Sequence, residues 1–211
     1  QGLVVAPTRE LCVQIANDFK LYSKYSKNAK IATIYGGTSI DKQAKEIRNG
    51  AQVVVATPGR LMDMIRRKLL KINEVGCVVL DEADEMLNMG FKEDIDEILS
   101  YTPDEKSTWL FSATMPKGVE KIAMKYMQNP IEVTIGSKNE SAKNIKHVCY
   151  TVKDRDRYAG VKRIIDFNPN IYGLIFCRTK RTTQDVADKL MKDGYSAEPL
   201  HGDLSQMQRD K

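Results

Sequence analysis

The chain has 211 residues, 42% of them hydrophobic and 29% charged, a globular balance that excludes disordered, collagen-like and coiled-coil chains. Its net charge of +5 is unevenly placed: residues 1–135 carry 18 basic and 18 acidic side chains, and residues 136–211 carry 15 and 10. That asymmetry permits a polyanionic partner for the second part, although a solvated lysine-rich surface explains the charge as well. No apolar run approaches the ~20 residues that span a bilayer, so no membrane association is expected. The opening Gln1-Gly2-Leu3-Val4-Val5-Ala6-Pro7 has neither the basic start nor the apolar stretch of a signal peptide. It also lacks an initiator Met, and we expect a chain that begins partway through a longer protein or was processed.

In chain order, Leu3-Val4-Val5-Ala6 predicts a buried strand, followed by a helix from about Glu10 to Tyr25 with Leu11, Ile15, Phe19 and Tyr22 on one face. Lys30 to Tyr35 is a strand that stops at Gly36-Gly37. A helix from Ser39 to Arg48 is closed by Asn49-Gly50, a C-terminal stop signal. Gln52 to Ala56 predicts a strand and Leu61 to Arg67 a helix; Cys77 to Leu80 predicts a strand running into acidic residues, and Phe91 to Tyr101 a helix. Trp109 to Ser112 and Ile131 to Ile135 are strands that flank a helix from Val119 to Met127. Residues 136–144 are small, polar and without period, the composition of a linker. Alternation then restarts with strands at His147 to Val152, Gly173 to Cys177 and Ser196 to Leu200, and helices at Tyr158 to Phe167, Thr183 to Lys192 and from near Ser205. Short strands separated by helices predict an α/β fold built of βαβ units on parallel sheets. The expected organisation is a first domain over 1–135, a linker over 136–145 and the start of a second domain over 146–211.

Cys12, Cys77, Cys149 and Cys177 are widely spaced with no C-x-x-C pair, and His147 and His201 cannot complete a zinc site. Reduced thiols fit a cytoplasmic protein.

Cys77-Val78-Val79-Leu80 followed by Asp81-Glu82-Ala83-Asp84 puts two adjacent carboxylates at the carboxyl edge of a parallel sheet, where ligands bind in open α/β folds. Asp81 suits magnesium, which often keeps water between itself and a carboxylate. Glu82 could orient or deprotonate a water attacking a γ-phosphate. Alone, these residues would equally suit the acidic start of a helix. Ala6-Pro7-Thr8-Arg9-Glu10-Leu11 and Ala56-Thr57-Pro58-Gly59-Arg60 each join a strand to a helix N-terminus, a geometry that favours phosphate. Gly36-Gly37-Thr38 lets backbone amides approach a ligand. Phe111-Ser112-Ala113-Thr114 ends a further strand with two hydroxyls able to bond a carboxylate such as Asp84.

Taken together these segments resemble the DEAD-box RNA helicases, whose name is the tetrad Asp81-Glu82-Ala83-Asp84. Pro7-Thr8-Arg9-Glu10-Leu11, Gly36-Gly37, Thr57-Pro58-Gly59-Arg60 and Ser112-Ala113-Thr114 match family motifs in order. So do Ile175-Phe176-Cys177-Arg178-Thr179-Lys180 and His201-Gly202-Asp203 with Gln206 and Arg209. The resemblance implies two RecA-like parallel-sheet lobes joined by a short linker, both incomplete in this chain, with ATP and Mg2+ in the cleft and RNA across both. It implies Asp81 as the magnesium carboxylate through water with Glu82 beside it as catalytic base, and Asp84, Ser112 and Thr114 as the coupling between nucleotide and RNA. Pro7, Thr8, Arg9, Gly37, Thr57, Pro58, Gly59 and Arg60 would hold the RNA sugar-phosphate backbone in the first lobe, and Arg178, Thr179, Gln206 and Arg209 in the second. His201 is expected to be structural. Backbone contacts imply little sequence preference, and contacts to 2′-hydroxyls would separate RNA from DNA.

No G-x-x-x-x-G-K-[ST] phosphate loop occurs in the 211 residues. In the family that loop lies upstream of these segments and the arginine-finger motifs downstream. We therefore expect the middle of a monomeric helicase, inactive by itself. The competing expectation is an RNA clamp or assembly scaffold with the same grip and little turnover. A DNA helicase is disfavoured by the tetrad together with Ser112-Ala113-Thr114.

Overall fold

The structure, a computed structural model, describes residues 1–26, 29–135 and 145–209. The chain divides into two compact units, Gln1–Ser141 and Ala142–Lys211. All but the last residue of the expected linker lies outside the described residues.

In the first unit, four-residue apolar segments form β1 (Gly2–Val5), β2 (Ile31–Ile34), β3 (Val53–Ala56), β4 (Cys77–Leu80) and β5 (Ser107–Leu110). They make one parallel sheet in the order β2-β3-β1-β4-β5. Between and after them run α1 (Arg9–Tyr22), α2 (Ile40–Arg48), α3 (Pro58–Arg66), α4 (Ala83–Asn88), α5 (Lys92–Ser100) and α6 (Lys117–Tyr126). Side chains alternate across a strand, so Leu3 and Val5 face one side and Val4 and Ala6 the other. The first side is the larger core, where Leu61, Met62 and Met64 of α3, Met86 of α4, Ile95 and Ile98 of α5 and Ile122 of α6 are buried. The second side is covered by α1 through Cys12 and Ala16. The α/β class and its parallel sheet are those predicted from the alternation of strand and helix patterns.

Several boundaries differ from the sequence expectation. The buried face of α1 is Cys12 and Ala16, with Leu11 and Ile15 packed beside it, whereas Tyr22 is 82% exposed. Small residues let the helix lie close on the sheet. A 14-residue helix of roughly 21 Å also overruns four-residue strands of roughly 13 Å, leaving its last turn in solvent. α3 begins at Pro58 rather than Leu61, because proline at the first helical position loses no hydrogen bond. The acidic tetrad starts a separate helix, α4. β5 ends at Leu110, its register fixed by Cys77↔Ser107 through Leu80↔Leu110. Ile131 to Ile135 forms no strand; Ile135 is 98% exposed.

The second unit holds a 3-10 turn at Asp154–Asp156, α7 (Arg157–Phe167), α8 (Lys180–Lys192) and α9 (Gln206–Arg209). The runs expected as strands at His147 to Val152, Gly173 to Cys177 and Ser196 to Leu200 are unpaired among the described residues, and Phe176 is 92% exposed. Alternation and β-branching are local signals, but a parallel strand exists only by pairing with distant neighbours and being covered on both faces.

Candidate functional site

The register places the last residues of all five strands in one row: Ile34 beside Ala56, Ala56 beside Val5, Val5 beside Leu80, Leu80 beside Leu110. Tyr35-Gly36-Gly37-Thr38, Thr57-Pro58-Gly59-Arg60, Ala6-Pro7-Thr8-Arg9, Asp81-Glu82 and Phe111-Ser112-Ala113-Thr114 all follow directly from that row. Five segments far apart in sequence therefore emerge along a single carboxyl edge.

At the centre, the Asp81 amide donates to the Val5 carbonyl at 2.9 Å, continuing the β1–β4 ladder by one residue. Asp81 Oδ1 accepts the Glu82 amide at 3.0 Å. Glu82 has φ 50° and ψ 50°, the left-handed region, which costs a residue with a Cβ about 1–2 kcal/mol. Such strain concentrates at working sites. It turns the chain at once from β4 into α4, whose Ala83 amide donates to the Phe111 carbonyl at 3.0 Å. Glu82 is exposed and Asp81 half-buried.

Asp84 is 8% exposed. Its Oδ2 accepts from the Thr114 hydroxyl at 2.6 Å and the Thr114 amide at 2.9 Å. The Ser112 hydroxyl accepts the Asp84 amide at 3.3 Å and donates to the Thr114 carbonyl at 2.6 Å. Burial works to raise the Asp84 pKa, but the hydrogen bonds, those of Thr114 foremost, together outweigh it and hold the carboxyl below its ordinary value. The three expected coupling residues thus form one closed cluster joining the start of α4 to the turn after β5.

On the β1–β3–β2 side, the Thr8 hydroxyl caps α1 by accepting the Leu11 amide at 3.2 Å. The Arg9 guanidinium lies over the Tyr35 ring, 4.9 Å from its centre. Gly37, at φ +79°, is where a Cβ would stand 3.1 Å from Arg9 Nη1. Arg60 Nη1 donates to the Thr38 carbonyl at 3.1 Å and to Gln43 Oε1 at 3.0 Å. Thr57 precedes α3 without a side-chain capping bond, Pro58 is buried at its first position, and Gly59 follows. The structure therefore brings Thr8, Arg9, Gly37 and Arg60 to the same edge.

Gln43, in α2, was not among the residues expected at the site. It continues the stripe Ile40, Ala44, Ile47, a position where a glutamine is out of pattern, and that is the signal by which sequence could have found it.

In the second unit, the Thr179 hydroxyl caps α8 by accepting the Thr182 amide at 3.1 Å. Arg178 is exposed at the entry to that helix. Lys180 pairs with Asp203 at 2.6 Å. His201 Nδ1 accepts the Asp203 amide at 3.3 Å, and its Nε2 lies 3.0 Å from Gln184 Oε1. Gln206 and Arg209 stand three apart on α9. Lys180 and Gln184 thus join α8 to the turn before α9.

Among the described residues, no group of three His, Cys, Asp or Glu can hold a metal by itself. A single carboxylate such as Asp81, with Glu82 adjacent, fits magnesium, which is commonly held by one or two carboxylates together with water and phosphate oxygens.

Comparison with known proteins agrees with this geometry. The chain is 42% identical over 209 residues to the DEAD-box ATP-dependent RNA helicase CshA of Streptococcus pneumoniae, a match covering 99% of this chain and 40% of that protein. It is 43% identical over 211 residues to the ATP-dependent RNA helicase DeaD of Mycobacterium tuberculosis, covering 100% of this chain and 37% of that one. The chain thus spans well under half the length of these relatives. The crystal structure of a DEAD box protein from the hyperthermophile Methanococcus jannaschii superposes with a TM-score of 0.60 at 42% identity, covering 100% of this chain and 56% of the other. The family model for DEAD/DEAH box helicases matches residues 1–122: the chain belongs to the DEAD/DEAH box helicase family.

Proposed function

We propose that this chain is the part of an ATP-dependent RNA helicase that grips single-stranded RNA by its backbone and couples that grip to ATP hydrolysis, locally opening short duplexes. The observation that carries the proposal is the common carboxyl edge, where paired carboxylates and two arginine-bearing turns leave adjacent strands of one sheet. Asp81 would hold a magnesium ion through water, and the ion would neutralise phosphate charge there. Glu82, fixed by its left-handed backbone directly after Asp81, would take the proton of the attacking water. Asp84, locked to Thr114 and Ser112, would transmit the state of that centre to the RNA-facing turns. Thr8, Arg9, Gly37, Thr57, Gly59 and Arg60 would hold the backbone in one lobe, and Arg178, Thr179, Gln206 and Arg209 in the other. The lobes would correspond to residues 1–135 and 146–211. Having no phosphate loop, the 211 residues alone are expected not to hydrolyse ATP. We place the working protein, as a monomer, in the cytoplasm, where its widely spaced thiols would stay reduced.

The test is the binding of fluorescent single-stranded RNAs of unrelated sequence over a salt series. Arg9→Ala and Arg60→Ala should weaken all of them alike. Each should also lower the log–log salt slope by roughly 0.7, the share of one single-strand phosphate contact. A loss confined to particular sequences, with the slope unchanged, would mean that these arginines read bases or serve only the fold.

A further inference from the structure

Gln43 is 6% exposed, one of few buried polar side chains among the described residues, and both ends of its amide are committed. Nε2 donates to the Tyr35 carbonyl at 3.0 Å and to the Thr38 hydroxyl at 2.7 Å. Oε1 accepts from Arg60 Nη1 at 3.0 Å. The same Arg60 nitrogen reaches the Thr38 carbonyl, and Tyr35 carries the Arg9 guanidinium on its ring. One side chain from α2 thus joins the turn after β2 to the first turn of α3. Among the described residues, Arg60 engages protein through Nη1, which leaves the other arm of its fork to meet an anion. A buried amide with donors and acceptor all satisfied is rigid, because releasing any one bond strands a desolvated polar group.

We propose that Gln43 is a positioning residue for RNA: it touches no RNA itself and sets the place of Arg60 relative to the Gly36-Gly37-Thr38 turn, so that both meet successive points of one backbone. This rests on the RNA-backbone function proposed above. Gln43 carries no charge, so its removal can change the salt dependence of binding only by displacing a group that does.

The experiment uses the full chain and a fluorescein-labelled oligouridylate, with affinity read by anisotropy from low to moderate salt for wild type, Gln43→Leu, Arg60→Ala and the double variant. Gln43→Leu keeps the volume and removes all three bonds. It should weaken binding about tenfold, the size of one charge-assisted contact, and lower the salt slope by roughly 0.7, as Arg60→Ala does. The double variant should bind no more weakly than Arg60→Ala alone, since the two act through one contact. A Gln43→Leu protein with the wild-type slope, or a double variant whose losses add, overturns the positioning role. Should Gln43→Leu fail to fold, Thr38→Val, on an exposed residue, removes the hydroxyl that Gln43 grips and should lower affinity and slope in the same direction; wild-type values for both would overturn the proposal. If wild type fails to bind RNA, or Arg60→Ala binds as wild type does, the backbone-grip function itself is wrong.

Discussion

Asp84 shows how one side chain can be both structural and sensitive to its surroundings. Its carboxylate is nearly buried, and two donors of Thr114 keep it ionised there. Because folding lowers its pKa, its contribution to stability is present in full above the ordinary carboxylate value. That contribution is lost as the pH falls through the lowered one. Asp84→Ala strands the Thr114 amide, which should cost about 1–3 kcal/mol at neutral pH. The difference from wild type, measured by urea unfolding at a series of pH values, should shrink in acid. A difference that stays constant with pH would show that the carboxylate charge contributes nothing. Cys12 makes the opposite case: burial pushes its thiol up to about 12, and with only the Ala6 carbonyl as partner among the described residues it acts as a small apolar residue under the sheet.

Among the elements, α1 and α3 begin with similar sequence and different chemistry. Thr8 caps α1 through its hydroxyl, whereas Thr57 makes no side-chain cap and α3 relies on Pro58 at its first position. Thr8→Ala should therefore cost about 1 kcal/mol and Thr57→Ala much less, as thermal unfolding would show; equal losses would contradict the difference in capping. Most helices and the five paired strands of the first unit were legible in sequence because their signals are local, a 3.6-residue period or a short β-branched run closed by Gly, Pro or Asn. The short helix α4 was not, and Ile131 to Ile135 carries the same local signal without forming a strand. The strands expected in the second unit were not, because residues such as Leu174 and Phe176 carry strand-like side chains but pairing is decided by distant chain. At the site, the carboxylates and arginine turns could be read from motif spacing. Gln43 could not, since its role depends on a fold that brings Tyr35, Thr38 and Arg60 around one helix position. The backbone of Glu82 was hidden for a related reason: a left-handed turn is announced in sequence by glycine or asparagine, and this one is made by a glutamate.

For the whole molecule, the parallel sheet converts linear spacing into adjacency. Thr8, Gly37, Arg60, Asp81 and Thr114 reach one edge because each follows the end of a strand in a common register. That is the place where open α/β sheets take ligands. This edge is the proposed site of phosphoryl chemistry as well as of RNA contact, with Glu82 as the proposed base. The most direct measurement is RNA-stimulated ATP hydrolysis by a protein that carries this chain together with a phosphate loop and the arginine-finger motifs, with Glu82 intact and as Glu82→Gln. Loss of a general base should lower the steady-state rate by ~10²–10⁴-fold, while ATP-dependent RNA binding persists, because the glutamine keeps the shape and removes only the proton acceptor. A rate within a factor of about two of wild type, far short of that range's lower limit, would contradict the assignment.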